Sequence, residues 1–181
     1  MEATVEDASN VLFEGFQDNS IRKILVPIDG SACSDNAVKF AVDLAVKYNS
    51  EICLVHIIPN VSVWNYCLMT VDGGFFPACA IEEIKKAGKR LLSRTLALVK
   101  EAGVKADAQL YHGHPAKKIV QIAEEREFDL IVIGSNRPSL TARLLLWDIS
   151  DKVTQKAPCP VLVVKEPRPK KGKKEAAHNR D

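Results

Sequence analysis

The sequence predicts a doubly wound α/β domain built around a parallel sheet. Short apolar runs alternate with stretches of helical periodicity, and 10–20 residues separate one run from the next. That spacing suits right-handed crossover helices between parallel strands. Most runs are apolar at successive positions rather than at every second one, as strands must be when helices cover both faces. At 181 residues the chain fits one domain, long enough to bury about two-thirds of its unfolded surface.

The first run is Lys23–Ile28 (KILVPI), followed by the turn Asp29-Gly30-Ser31. Ser34 with Asp35 reads as the start of the first helix, since short polar side chains accept the free N–H groups of a first turn. Ala37, Phe40, Ala41, Leu44, Ala45 and Tyr48 recur at helical spacing and predict its buried stripe. Glu51–Ile58 (EICLVHII) is the second strand, closed by Pro59. A second helix is expected from about Ala80 to Ala102, with Ile81, Ile84, Leu91, Leu92, Thr95 and Val99 on one face and Gly103 as its stop. Lys105–Tyr111 alternates and reads as strand three. Pro115 suits the first turn of a third helix with the stripe Ile119, Ile122 and Ala123. Strand four is expected at Asp129–Ile133 and strand five at Cys159–Val164.

Three segments flank or interrupt this pattern. Residues 1–20 hold five acids and no Lys or Arg, so they lack the positive start and apolar core of a secretory signal. No run approaches the ~18 apolar residues that span a bilayer, and a cytoplasmic protein is expected. The tail beyond residue 165 is rich in Lys and Pro and poor in large apolar side chains. It cannot offset its ordering entropy by burial and is expected to be disordered. Clustered lysines can neutralise phosphates, but no aromatic residue interleaves to stack on bases, which weighs against nucleic acid. Pro59–Cys79 carries Trp64, Tyr66, Phe75 and Phe76 without clean periodicity. So long a loop reads as a lid or partner-binding patch, or equally as a flap over its own apolar surface.

The five cysteines are scattered, with no C-x-x-C pair, and are expected to be reduced. Residues 129–164 hold strand, glycine turn, helix and strand, the arrangement in which a phosphate-binding loop belongs. Where such a loop needs small residues, this one carries Arg137, Trp147 and Asp148. Asp148 or Ser150 can instead cap the last helix. The chain has no G-x-x-x-x-G-K-[ST], H-E-x-x-H or G-x-S-x-G motif, and a non-catalytic role is expected. His112 and His114 flank Gly113 at the end of strand three, too few ligand types together to indicate a metal.

KILVPIDGSACSDNAVKFAVDLA, LVHIIP, GHPAKKIVQIAEEREFDLIVIGS and APCPVLVV, in that order, resemble the universal stress protein family from about Lys23 to Val164. The resemblance implies a Rossmann-like sheet of the adenine nucleotide alpha hydrolase type, in strand order 3-2-1-4-5. It implies residues 21–165 as the domain and a homodimer through the last strand, Cys159–Lys165. The family's nucleotide-binding branch looks like G-x2-G-x9-G-[ST] after strand four. Glycines there let backbone N–H groups approach phosphate oxygens. Counted from Gly134, with Ser135 beside it, the later positions fall on Arg137, Trp147 and Asp148. Asp148 would repel phosphate by a few kcal/mol, about what an effective dielectric near 20 implies. Arg137 would compensate in part. Asp29 matches the ribose position, with Pro27 and Ile28 lining the crevice and Ile57 near adenine. Asp29 reads equally as a turn residue holding Gly30 and Ser31. The expectation is a regulatory stress-response protein with weak or no binding of ATP or AMP and no resident cofactor. The alternative is an adenine-nucleotide sensor or slow ATPase that uses Arg137.

Overall fold

Alternating apolar runs and helical stretches fold into five strands and four helices in the computed structural model, which describes residues 20–59, 78–135 and 149–165. The acidic stretch through residue 19, the aromatic segment from residue 60, Arg137, Trp147, Asp148 and the basic tail from residue 166 lie outside the described residues. The elements run β1 (Lys23–Pro27), α1 (Ala32–Tyr48), β2 (Glu51–Ile58), α2 (Ala78–Glu101), β3 (Ala106–His112), α3 (Pro115–Glu125), β4 (Leu130–Ser135), α4 (Ile149–Lys156) and β5 (Val161–Lys165). The sheet order is β3-β2-β1-β4-β5, and every neighbouring pair is parallel.

Side chains alternate across a strand, so each central strand feeds two cores. Ile24, Val26, Ile52, Leu54, Leu130 and Val132 pack under α1 and α2. Leu25, Cys53, Val55, Ile131 and Ile133 pack under α3 and α4. The doubly wound reading from apolar runs therefore holds. On α2, Leu92, Thr95 and Val99 are buried as their spacing predicts.

The start and stripe of α1 need correction. The helix begins at Ala32, two residues before Ser34, because Ser31 is its cap: the Ser34 N–H donates to Ser31 Oγ at 3.2 Å. Its buried side is small, comprising Cys33, Ser34, Ala37, Val38, Ala41 and Ala45. Phe40 and Tyr48, placed in the stripe by spacing, are instead 54% and 56% exposed. Strand limits also shift. β4 starts at Leu130 because the Asp129 carboxylate is used at the sheet's amino edge. Its Oδ2 accepts the backbone N–H groups of Arg22 and Lys23, both at 2.8 Å. β5 starts at Val161, although the Pro160 carbonyl already accepts the Ile131 N–H at 3.0 Å. Pro115 opens α3 as expected. Ser150 lies within the first turn of α4 and is buried, rather than capping it. No helix among the described residues is long and apolar enough to cross a membrane.

Candidate functional site at the carboxyl edge of the sheet

An open parallel sheet binds ligands beyond the carboxyl ends of its strands, where crossovers leave in opposite directions. Here that point lies at the end of β1, with β2 on one side and β4 on the other. Register pairs Pro27 with Val55 and Leu25 with Ile131. On the β2 side the pairing continues past the strand end, where Ile28 is bonded to Val55 and to His56. Pro27, Ile28, Asp29, Ile57, Gly134 and Ser135 thus all lie at or near the carboxyl ends of β1, β2 and β4, while Arg137 lies outside the described residues.

Each contributes differently. Pro27 is half-buried at the end of β1. Ile28 is buried among the residues under α1 and α2, so it offers backbone rather than a side-chain wall. Its N–H donates to the Val55 carbonyl at 2.8 Å, continuing the ladder past the strand end. Ile57 is buried in the opposite core, under α3 and α4. Ser135 is buried as well.

Asp29 is exposed and serves the turn it begins. Its Oδ1 accepts the Ser31 N–H at 2.9 Å, and its own N–H donates to Ser34 Oγ at 3.5 Å. Ser34 Oγ in turn donates to the Ser31 carbonyl at 3.0 Å. Burial by itself would raise the Asp29 pKa, but hydrogen bonds from the Ser31 side chain and backbone, with Ser34, outweigh it and lower the value. The result is an ionised acceptor held at the mouth of the crevice, suited to a pair of neighbouring hydroxyls.

Gly134 has a packing role. A Cβ built there would stand 2.5 Å from the Cys33 carbonyl carbon, 2.6 Å from its oxygen and 2.7 Å from the Ser34 nitrogen. Only a residue without a side chain lets the first turn of α1 lie this close to β4.

His56 was not among the predicted site residues. Its Nδ1 lies 2.7 Å from the Ile28 carbonyl oxygen. A carbonyl only accepts, so Nδ1 carries the proton. The signal in the sequence was Gly88, a glycine inside a helix, which implies a close approach. A Cβ at Gly88 would lie 2.8 Å from His56 Cδ2. His112 ends β3 and His114 is the N-cap of α3. Among the described residues, no group of three or more His, Cys, Asp or Glu side chains is placed to hold a metal.

Fold and crevice together define a doubly wound, Rossmann-like α/β domain, with strand order 3-2-1-4-5 and a carboxylate just past the end of β1. The model of the universal stress protein family matches residues 20–165, and the chain belongs to that family. It is 32% identical over 151 residues to universal stress protein MJ0531 of Methanocaldococcus jannaschii, covering 83% of this chain and 86% of that one. It is 35% identical over 147 residues to YxiE of Bacillus subtilis, covering 79% and 98%. Among solved structures it is similar to that of the protein MJ0577, with a TM-score of 0.66 and 24% identity over 83% of this chain and 99% of the other. Two further likenesses are a universal stress protein in complex with cAMP (TM-score 0.57, 22% identity, 82% and 99% covered) and one from Arabidopsis thaliana with AMP bound (TM-score 0.56, 19% identity, 81% and 93% covered).

Proposed function

We propose that this chain is a non-catalytic, dimeric regulator of the stress response whose crevice keeps its nucleoside half and lacks a triphosphate cradle. The observation that carries this reading is the packing of Gly134. It is the one glycine left from the family's phosphate loop, and the backbone of Cys33 accounts for it without any ligand. The other loop positions hold Arg137, Trp147 and Asp148, where backbone must approach phosphate and a carboxylate must repel it. ATP binding is therefore weak or absent.

The nucleoside half favours a second reading, an adenine-nucleotide sensor that accepts a lightly charged ligand such as AMP. Asp29 stays ionised at the same sheet edge as Ile57, and the neighbours with cAMP and AMP carry adenosine on the same fold. Calorimetric titration with ATP, AMP and cAMP, repeated on Asp29→Ala, separates the two. Micromolar ATP binding that is lost in the variant would overturn the first reading; no binding of any adenylate would overturn the second.

The dimer rests on β5, which pairs with β4 along one edge only among the described residues. Leu162 is 36% exposed, and Val161 and Val163 are only partly covered. Sedimentation equilibrium should give twice the chain mass, and Leu162→Asp should give the single chain. A monomeric wild type at tens of micromolar would refute the dimer. The aromatic segment Pro59–Cys79 remains our candidate for a protein-partner contact, and deleting it should leave the dimer intact.

A further inference from the structure

Two residues of α2, one turn apart, pack toward the end of β1, Gly88 through the His56 ring and Leu91 directly on Gly30. Gly88 lies against the His56 ring, where a Cβ would come within 2.8 Å of Cδ2 and 3.4 Å of Nε2. Leu91 lies against Gly30, its methyl carbons 3.6 and 3.7 Å from where a Cβ would stand. The His56 ring occupies the space between α2 and the sheet, with Leu110 of β3 on its flank: the same absent Gly88 Cβ would meet Leu110 Cδ1 at 3.0 Å. From there its Nδ1–H reaches the Ile28 carbonyl at 2.7 Å. Ile28 is thus held to β2 at both backbone groups, its N–H by Val55 and its C=O by His56. Asp29 is the next residue.

We propose that His56 is a positioning residue for the nucleoside crevice, through which helix α2 sets the backbone that presents Asp29. The proposal rests on the reading that Asp29 meets a ribose. Its physical content is simple. The Ile28 carbonyl is a strong acceptor on a buried residue and needs a donor. A side chain supplies it, so the turn's position depends on where that ring sits. The ring has no slack on the α2 side, because even a methyl group at Gly88 would collide with it. A shift of α2 along the sheet therefore moves the imidazole and with it the Ile28–Asp29 peptide. Neutral imidazole and imidazolium both donate from Nδ1, so the tie does not depend on the ring's charge.

The test uses the full chain and three substitutions. His56→Asn keeps an amide donor where Nδ1 stands, His56→Leu keeps bulk without a donor, and Gly88→Ala pushes the ring from α2. AMP affinity is measured by calorimetry, and the backbone amide exchange of Asp29 and Gly30 by NMR. His56→Leu should weaken AMP binding about tenfold, the scale of one lost hydrogen bond, and should speed exchange at both amides. His56→Asn should recover affinity to within about threefold of wild type by the same scale. Gly88→Ala should weaken binding although it touches no part of the crevice. Equal affinity and exchange in His56→Leu and wild type would overturn the proposal, as would an Asn variant no better than Leu. If wild type binds no adenylate, the nucleoside reading fails, and exchange alone then decides: unchanged Asp29 and Gly30 amides in His56→Leu refute the positioning role. Should His56→Leu fail to fold, Gly88→Ala against His56→Asn gives the same comparison.

Discussion

Gly134 and Cys33 touch backbone to backbone: the Cβ that Gly134 lacks would lie 2.5 Å from the Cys33 carbonyl carbon. Neither partner can yield cheaply, since one belongs to a central strand and the other to the first turn of α1. Gly134→Ala must move the helix start or bend β4. A cost of about 1–3 kcal/mol is expected, as for overpacked cores. Urea denaturation should show a lower midpoint with an unchanged slope. An unaltered midpoint would mean that α1 slides freely over β4 and would return Gly134 to a phosphate-binding role.

Ser31, rather than Ser34, should carry the cap of α1. Ser31 Oγ accepts the Ser34 N–H, while Ser34 Oγ donates to the Ser31 carbonyl from inside the first turn. Ser31→Ala is expected to cost about 1 kcal/mol and Ser31→Asp to be nearly neutral, following cap preferences. Thermal unfolding of the two variants checks this. Equal losses in both would argue against the cap.

The two corrected features of α1 show what the sequence could and could not reveal. Strand runs such as KILVPI and EICLVHII were legible because both of their faces are buried, leaving no polar alternation to misread. The burial of α1 was misread at Phe40 and Tyr48, which share the spacing of Ala37, Ala41 and Ala45. Periodicity registers apolar character and ignores size. A helix whose first turn lies against Gly134 has room only for Ser34, Ala37, Val38, Ala41 and Ala45 beneath it, so its large side chains fall on the flank. The placement of Asp29 and Ile57 at the carboxyl edge of the sheet is legible in the sequence, because position along a strand decides it. The role of His56 is not, because it depends on a contact with Gly88, thirty-two positions further along the chain.

Cys53 should be inert in the folded protein. Burial, and next the negative charge of Asp107, push its thiol up to about 12, against a smaller opposing pull from Arg126. Arg126 Nη1 stands 3.0 Å from its Sγ. Thiolate is the reactive form. Iodoacetamide at pH 8, followed by peptide mass mapping, should leave Cys53 unmodified in buffer and label it fully in denaturant. The linkage sign follows from the raised value. The unfolded thiol ionises near 9.0 and the folded one near 12, so the contribution is complete below pH 9 and is lost as pH rises through that window. Cys53→Ala should flatten the alkaline limb of the stability curve.

Asp29 carries the opposite pH signature. Its folded pKa is lowered from 3.8, so its contribution is present above that value and is lost as pH falls through the lower folded one. The carboxylate is exposed, and water screens its hydrogen bond to the Ser31 N–H. A contribution of about 0.5–1 kcal/mol is therefore expected rather than the fuller value of a buried charged bond. Asp29→Asn should be less stable than wild type at pH 7 by that amount, and the difference should shrink as pH falls below 3.8. The carboxyl carbon shift of Asp29 in an NMR titration should give a midpoint below 3.8. A midpoint above it would mean that burial outweighs the Ser31 and Ser34 bonds, leaving a protonated acid at mildly acidic pH. A protonated acid at the end of β1 would offer a ribose one acceptor fewer, so adenylate affinity should then fall with pH in step with that titration.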